Sequence, residues 1–190
     1  KKVCSHYNFG KLEQDNIRYC GRDIKRDSHH IHVTCSSLID RVRPIHLTAE
    51  QRKNRGERVP DFVKGQLRSV IGSIAWLARV CRPDLSYAIS KLQSCVHQAT
   101  YEDVIFANSI VSLARRTKDF GISYPIGAFK FEDAMVVALQ DASHAADFDL
   151  SKSGQKLGFR SQSGRLLCLA PKSFDKSLKS NLLILEWHST

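Results

Sequence analysis

Two groups of residues in this 190-residue chain have the types and spacing to do chemistry. Asp141 follows, after Gln140, a run of six apolar residues from Ala134 to Leu139. That position puts a carboxylate at the end or edge of a buried strand, where a cation or metal usually compensates it. The spacing favours a simpler arrangement, in which Asp141 caps the strand and hydrogen-bonds the turn through Ala142-Ser143. The second group is His29, His30, His32 and Cys35. His30 and His32 share a face on a strand, but a tetrahedral zinc site needs four ligands. No second ligand pair lies nearby in sequence, so these read as exposed hairpin histidines.

The signatures of other chemistries are missing. The sequence holds no G-x-x-x-x-G-K-[S/T], no G-x-G-x-x-G after a strand, no G-x-S-x-G and no H-E-x-x-H. Phosphate-loop NTPase, dinucleotide enzyme and zinc protease readings therefore have no support.

The elements that must position these residues follow from periodicity. Ile17-Arg18-Tyr19-Cys20 and His30–Cys35 read as two strands of a hairpin, with Lys25-Arg26-Asp27-Ser28 as turn material. Residues 40–60 are charged, carry Pro44 and Pro60, and read as a connecting loop. From Asp61 the apolar residues Val63, Leu67, Val70, Ile71, Ile74, Ala78 and Cys81 recur at three and four, the face of a helix of about twenty residues. It stops at Arg82-Pro83-Asp84, because a residue before proline is pushed out of the α region. Leu85, Ala88, Ile89, Leu92, Cys95 and Val96 mark a second helix. Val104, Ala107, Val111 and Ala114 mark a third, closed by Arg115, Arg116 and Lys118. Beyond Tyr124-Pro125 the pattern returns to strands. Ala134–Leu139 fits a strand buried on both faces, residues 158–161 and 165–169 flank a Ser163-Gly164 turn, and Leu182–Trp187 makes one further strand.

Charge points to the partner. The chain has 29 Lys and Arg against 19 Asp and Glu, a net charge of +10 and a pI near 9.5. Residues 1–68 hold +7 of that excess. Such a surface favours a polyanion, nucleic acid first, through phosphate neutralisation. The longest uncharged stretch, Val104–Ala114, is eleven residues, whereas a spanning helix needs roughly twenty. No signal-like apolar run follows Lys1-Lys2. The six cysteines are scattered without a C-x-x-C, the pattern of free thiols in a reducing compartment. An intracellular location, cytoplasmic or nuclear, is therefore expected, with no membrane partner.

Several blocks resemble the Pol polyprotein of copia-type LTR retrotransposons. The most specific are Leu67-Arg68-Ser69-Val70-Ile71-Gly72-Ser73-Ile74-Ala75-Trp76-Leu77-Ala78 and Arg82-Pro83-Asp84-Leu85-Ser86-Tyr87-Ala88-Ile89-Ser90-Lys91-Leu92. Arg116-Thr117-Lys118-Asp119-Phe120-Gly121-Ile122 is similar to the segment closing that family's helical region. Phe9-Gly10-Lys11 and Tyr19-Cys20-Gly21-Arg22-Asp23-Ile24 resemble the last strands of the reverse transcriptase palm. Asp141-Ala142-Ser143-His144-Ala145 and Ser161-Gln162-Ser163-Gly164 resemble the opening of the attached ribonuclease H domain.

The resemblance implies an α+β chain in three parts. Residues 1–60 would be the end of the palm, with a β-hairpin and linker. Residues 61–125 would be a three-helix thumb or connection bundle, and residues 126–190 the first strands of an incomplete ribonuclease H-like sheet. It implies that Asp141 is a catalytic carboxylate that binds divalent ions, Mg²⁺ in the complete parent enzyme. Asp147, Asp149, Asp175 and Glu186 fall on no motif position, and the remaining acids would lie beyond Thr190. The implied parent carries out RNA-directed DNA synthesis and cleaves the RNA of the hybrid. This piece is expected to be inactive alone and to contact RNA–DNA hybrid or duplex nucleic acid, with Arg115, Arg116 and Lys118 on phosphates and the rest of the polyprotein as a further partner. The alternative is a non-catalytic nucleic-acid-binding or protein-interaction module left by a decayed element.

Overall fold

The computed structural model describes residues 13–150, 156–174 and 180–189, and for 144–150 and 156–161 the backbone course alone. Phe9-Gly10-Lys11 lies outside the described residues. Two antiparallel sheets and five helices make a mixed α+β fold. The chain runs through β1 (Asn16–Tyr19), β2 (Arg22–Arg26), β3 (His30–Thr34), α1 (Ser36–Ile39), α2 (Ala49–Lys53) and α3 (Asp61–Val80). It continues through α4 (Ser86–Cys95), α5 (Tyr101–Arg116), β4 (Ile122–Pro125), β5 (Ala134–Leu150), β6 (Lys156–Pro171) and β7 (Leu183–Ser189).

The amino-terminal hairpin differs from the expected one. Cys20 and Gly21 both take positive φ, 48° and 75°, the two-residue turn whose twist suits a hairpin. Tyr19 pairs with Arg22 across it. The Trp76 indole nitrogen lies 3.5 Å from where a Gly21 Cβ would sit, so the turn rests on α3. The segment from Arg22 to Arg26, whose Lys25-Arg26 read as turn material, is therefore a strand. Its backbone groups pair with β1 on one side and β3 on the other; Lys25 and Arg26 stay exposed, while Arg22 and Asp23 are half-buried. The second turn falls at Asp27. The strand after α5, β4, pairs with β3 and completes a four-stranded sheet. Gly121 permits that return, because a Cβ there would strike the Val33 carbonyl oxygen.

The helical reading from spacing matches the structure closely. α3 spans Asp61–Val80 and buries Val63, Leu67, Val70, Ile71, Ile74 and Ala78. α4 buries Ile89 and Leu92, and α5 buries Val104, Ala107, Val111 and Ala114. Thr100 and Asp103 form a capping box at the start of α5. Residues 40–60 are not a mere connection, however. Val42, Ile45, Leu47 and Val59 are buried in the same core. Asn108 of α5 holds that segment by accepting from the Ile45 N–H and donating to its C=O, both at 2.7 Å.

Asp23 ties the sheet to the helices. Its carboxylate accepts from the Ser37 N–H at 3.0 Å and from the Ser37 and Ser36 hydroxyls, serving the first turn of α1, whose own N-cap residue offers no side-chain bond. Burial raises its pKa, but these bonds and Arg18 outweigh that and leave it below the ordinary 3.8. A depressed carboxyl pKa stabilises the fold above the unfolded value, and the gain is lost as pH falls through the folded one. Asp23→Ala should therefore cost about 1–3 kcal/mol at neutral pH, a difference that shrinks in acid denaturation curves run at progressively lower pH.

The second sheet has the order β5-β6-β7. Three expectations fail here. β5 does not end at Asp141 but runs on to Leu150, paired with β6 through bulges. Nor is it buried on both faces: Val136 is 60% exposed, because helices cover one side of this sheet alone. β6 passes through Ser163-Gly164 without turning, since Asp141 and Ala142 pair with Gly164 and Ser163. Cys168 and Ala170 are fully buried on the covered side. Three tethers fix the sheet to the body: Trp187 Nε1 donates to the Ala78 carbonyl near the end of α3 at 2.6 Å, Tyr124 Oη to the Ile184 carbonyl at 2.9 Å, and Gln162 to Ser90 Oγ at 3.2 Å.

Candidate nucleic-acid interface

Arg82 is the one charged or polar residue among the described ones that is buried, at 1% exposure. Four of its five N–H groups are used. Nε and Nη2 grip both oxygens of Asp84 at 2.8 and 2.7 Å. Nη1 and Nη2 reach the Thr117 carbonyl and hydroxyl, each at 3.0 Å, and the guanidinium carbon lies 5.8 Å from the Phe120 ring centre. The segment opening with Arg82-Pro83-Asp84 and the segment Arg116–Ile122 are thus locked to each other. These residues hold the end of α5 against the start of α4 and are structural.

A cleft of ≈ 630 Å³ opens where the first sheet, α3–α4 and the second sheet meet. Arg22 and Tyr124 line it from the first sheet, Arg79 and Gln93 from the helices, and Arg165 and His188 from the second sheet. Arg22 Nε is buried without a hydrogen-bond partner, a donor that an anion's oxygen would satisfy. Arg165 is paired with Glu186 at 2.9 Å. Arg79 makes no ion pair among the described residues. Sequence spacing could not reveal this group, since its three arginines are far apart in the chain.

The residues singled out by sequence fall elsewhere. Arg115 donates to the Asp40 carbonyl at 3.4 Å and Lys118 pairs with the Asp40 carboxylate at 3.6 Å, leaving Arg116 exposed at the end of α5. Asp141 lines a hollow of ≈ 380 Å³ with Gln140, Arg165 and His188. By strand alternation it shares a face with Leu139, the face that carries Trp187 toward α3. Among the described residues it belongs to no group of three potential metal ligands. The five described cysteines are free. Burial and the Asp103 carboxylate push the Cys95 thiol up to about 12, which makes it a poor nucleophile.

No protein-family model, curated protein or solved structure matches this chain. No helix among the described residues is long and apolar enough to cross a membrane.

Proposed function

We propose that this chain is part of a copia-type reverse transcriptase and ribonuclease H polyprotein, and that it holds duplex nucleic acid by its phosphates in the cleft of Arg22, Arg79 and Arg165. The observation that carries the binding role is the orphaned Arg22 Nε in a cleft that Arg79 and Arg165 also line. Guanidinium forks suit phosphate oxygens in number and shape. The family reading draws support from the way Arg82 unites two of the resembling segments, and from the antiparallel order β5-β6-β7 with Asp141 on its first strand.

The described residues do not suit a Mg²⁺ site. Asp141 is a single exposed carboxylate in no group of three potential ligands among the described residues, whereas hydrolysis with two ions needs clustered carboxylates. On this reading the described residues contribute nucleic-acid contact. A second reading, a protein-interaction module, is favoured by the outer face of the second sheet, where Val136 is 60% exposed.

Fluorescence anisotropy with short labelled RNA–DNA hybrids separates the two. Two hybrids of unrelated sequence should bind alike at low ionic strength, because phosphate contacts carry no sequence information. Absence of binding there would leave the interaction module as the better account.

A further inference from the structure

The β2–β3 turn carries a group of ligating side chains that nucleic-acid binding does not use. Asp27, His30 and His32 each offer one ligand atom, and these atoms all lie within 4.8 Å of one another. We propose that Asp27, His30 and His32 bind a divalent cation of the Zn²⁺ class, leaving at least one coordination position open to solvent.

The geometry is prepared from the backbone upward. His30 and His32 alternate onto one face of β3, their ring centres 5.5 Å apart. Asp27 is held in the turn by two N–H donors, His29 and His30, both at 2.7 Å from Oδ1. Its other oxygen is thereby aimed at His32 Nε2, 2.9 Å away. Zn–N and Zn–O bonds of about 2.0–2.2 Å put tetrahedral neighbours roughly 3.3–3.6 Å apart, so the pair opens by about half an ångström when an ion replaces the shared proton. The His30 ligand atom lies within 4.8 Å of both. The opposite nitrogen of His32, Nδ1, bonds Ser123 Oγ of β4 at 2.7 Å. A partner of this kind fixes the orientation of a ligating imidazole.

Two imidazoles with one carboxylate suit Zn²⁺ or Co²⁺ and not Mg²⁺. Cys35, which follows β3, is not part of the group. It falls on the opposite parity from His30 and His32, and it is fully buried in the core. Lys25 stands opposite His32 in the strand register and is the cation that competes with the ion for this face.

The site is independent of the polymerase reading, and Zn²⁺ titration of the whole chain by calorimetry tests it, with Co²⁺ absorption as a second probe. One equivalent of Zn²⁺ should bind and an excess of Mg²⁺ should not displace it. Ser123→Ala should weaken binding about tenfold, the lower end of the effect of removing a partner that orients a ligand. Asp27→Asn, His30→Gln and His32→Gln should each weaken it at least as much, and the Co²⁺ d–d bands should fade with them. None of the four positions is buried, and unchanged circular dichroism would show that the fold is kept. Zn²⁺ affinity that is unaltered in the three ligand variants, displacement by Mg²⁺, or no binding to the parent chain would each overturn the proposal.

Discussion

Asp84→Ala should destabilise the protein by about 3–5 kcal/mol, and Arg82→Met by less, about 1–3 kcal/mol. The order runs against exposure, since the Asp84 side chain is 51% exposed and that of Arg82 is 2% exposed. Its cause is what each change leaves behind. Without Asp84, the guanidinium stays buried among Thr117, Phe120 and the end of α3 with its charge uncompensated. Without Arg82, the aspartate turns into water, and Met refills most of the volume with apolar atoms. The loss is then confined to the hydrogen bonds, chiefly at the Thr117 carbonyl. The double variant Asp84→Ala/Arg82→Met should be more stable than Asp84→Ala alone, because it removes the stranded charge. Urea unfolding of the three variants measures this. If Arg82→Met costs more than Asp84→Ala, the guanidinium acts mainly as a hydrogen-bonding post and the charge argument is wrong.

The second large effect concerns the cleft. Arg22→Gln combined with Arg79→Gln should weaken hybrid binding about a hundredfold at low salt, each lost charge-assisted contact being worth roughly 1.5–3 kcal/mol. Arg165 should matter less, since Glu186 already holds it. Neutralising Arg115, Arg116 and Lys118 should have a smaller effect than the cleft pair, because Arg115 and Lys118 are engaged by Asp40. Anisotropy titrations of the two variant sets side by side decide which surface carries the contact. Equal losses would extend the interface to the end of α5.

The helices were legible because burial writes itself into spacing. Leu67, Ile71, Ile74 and Ala78 must fall on one side of α3, and Pro83 must end the run. β2 was not legible. Arg22, Asp23, Lys25 and Arg26 look like a loop because Ile24 is the one apolar residue among them and backbone pairing makes the strand, and the turn before it uses Cys20 where Asn or Asp would have been the signal. Val42, Ile45 and Leu47 did offer a signal, but Arg41, Arg43, Pro44 and His46 hid it. Ser163-Gly164 failed the other way. Its turn chemistry is sound locally, yet pairing with β5 overrides it.

The sites divide along the same line. The histidines at 30 and 32 stood out at once, but their partner came from the turn, at Asp27, and not from Cys35. Parity decides this, since one face of a strand cannot display residues an odd number apart. The cleft had no local signature at all. Arg22, Arg79 and Arg165 meet only because Trp187, Tyr124 and Gln162 draw the second sheet onto the helices and the first sheet.

The salt dependence of hybrid binding tests the central claim most directly. A chain that neutralises phosphates with guanidinium groups releases counterions, and log K then falls linearly with log salt, by about 0.9 for each phosphate contact on a B-form duplex. The parent chain should show a steep line, and the Arg22→Gln/Arg79→Gln variant a line shallower by about two. A slope near zero in the parent chain, or the same slope in both, would contradict phosphate binding in this cleft.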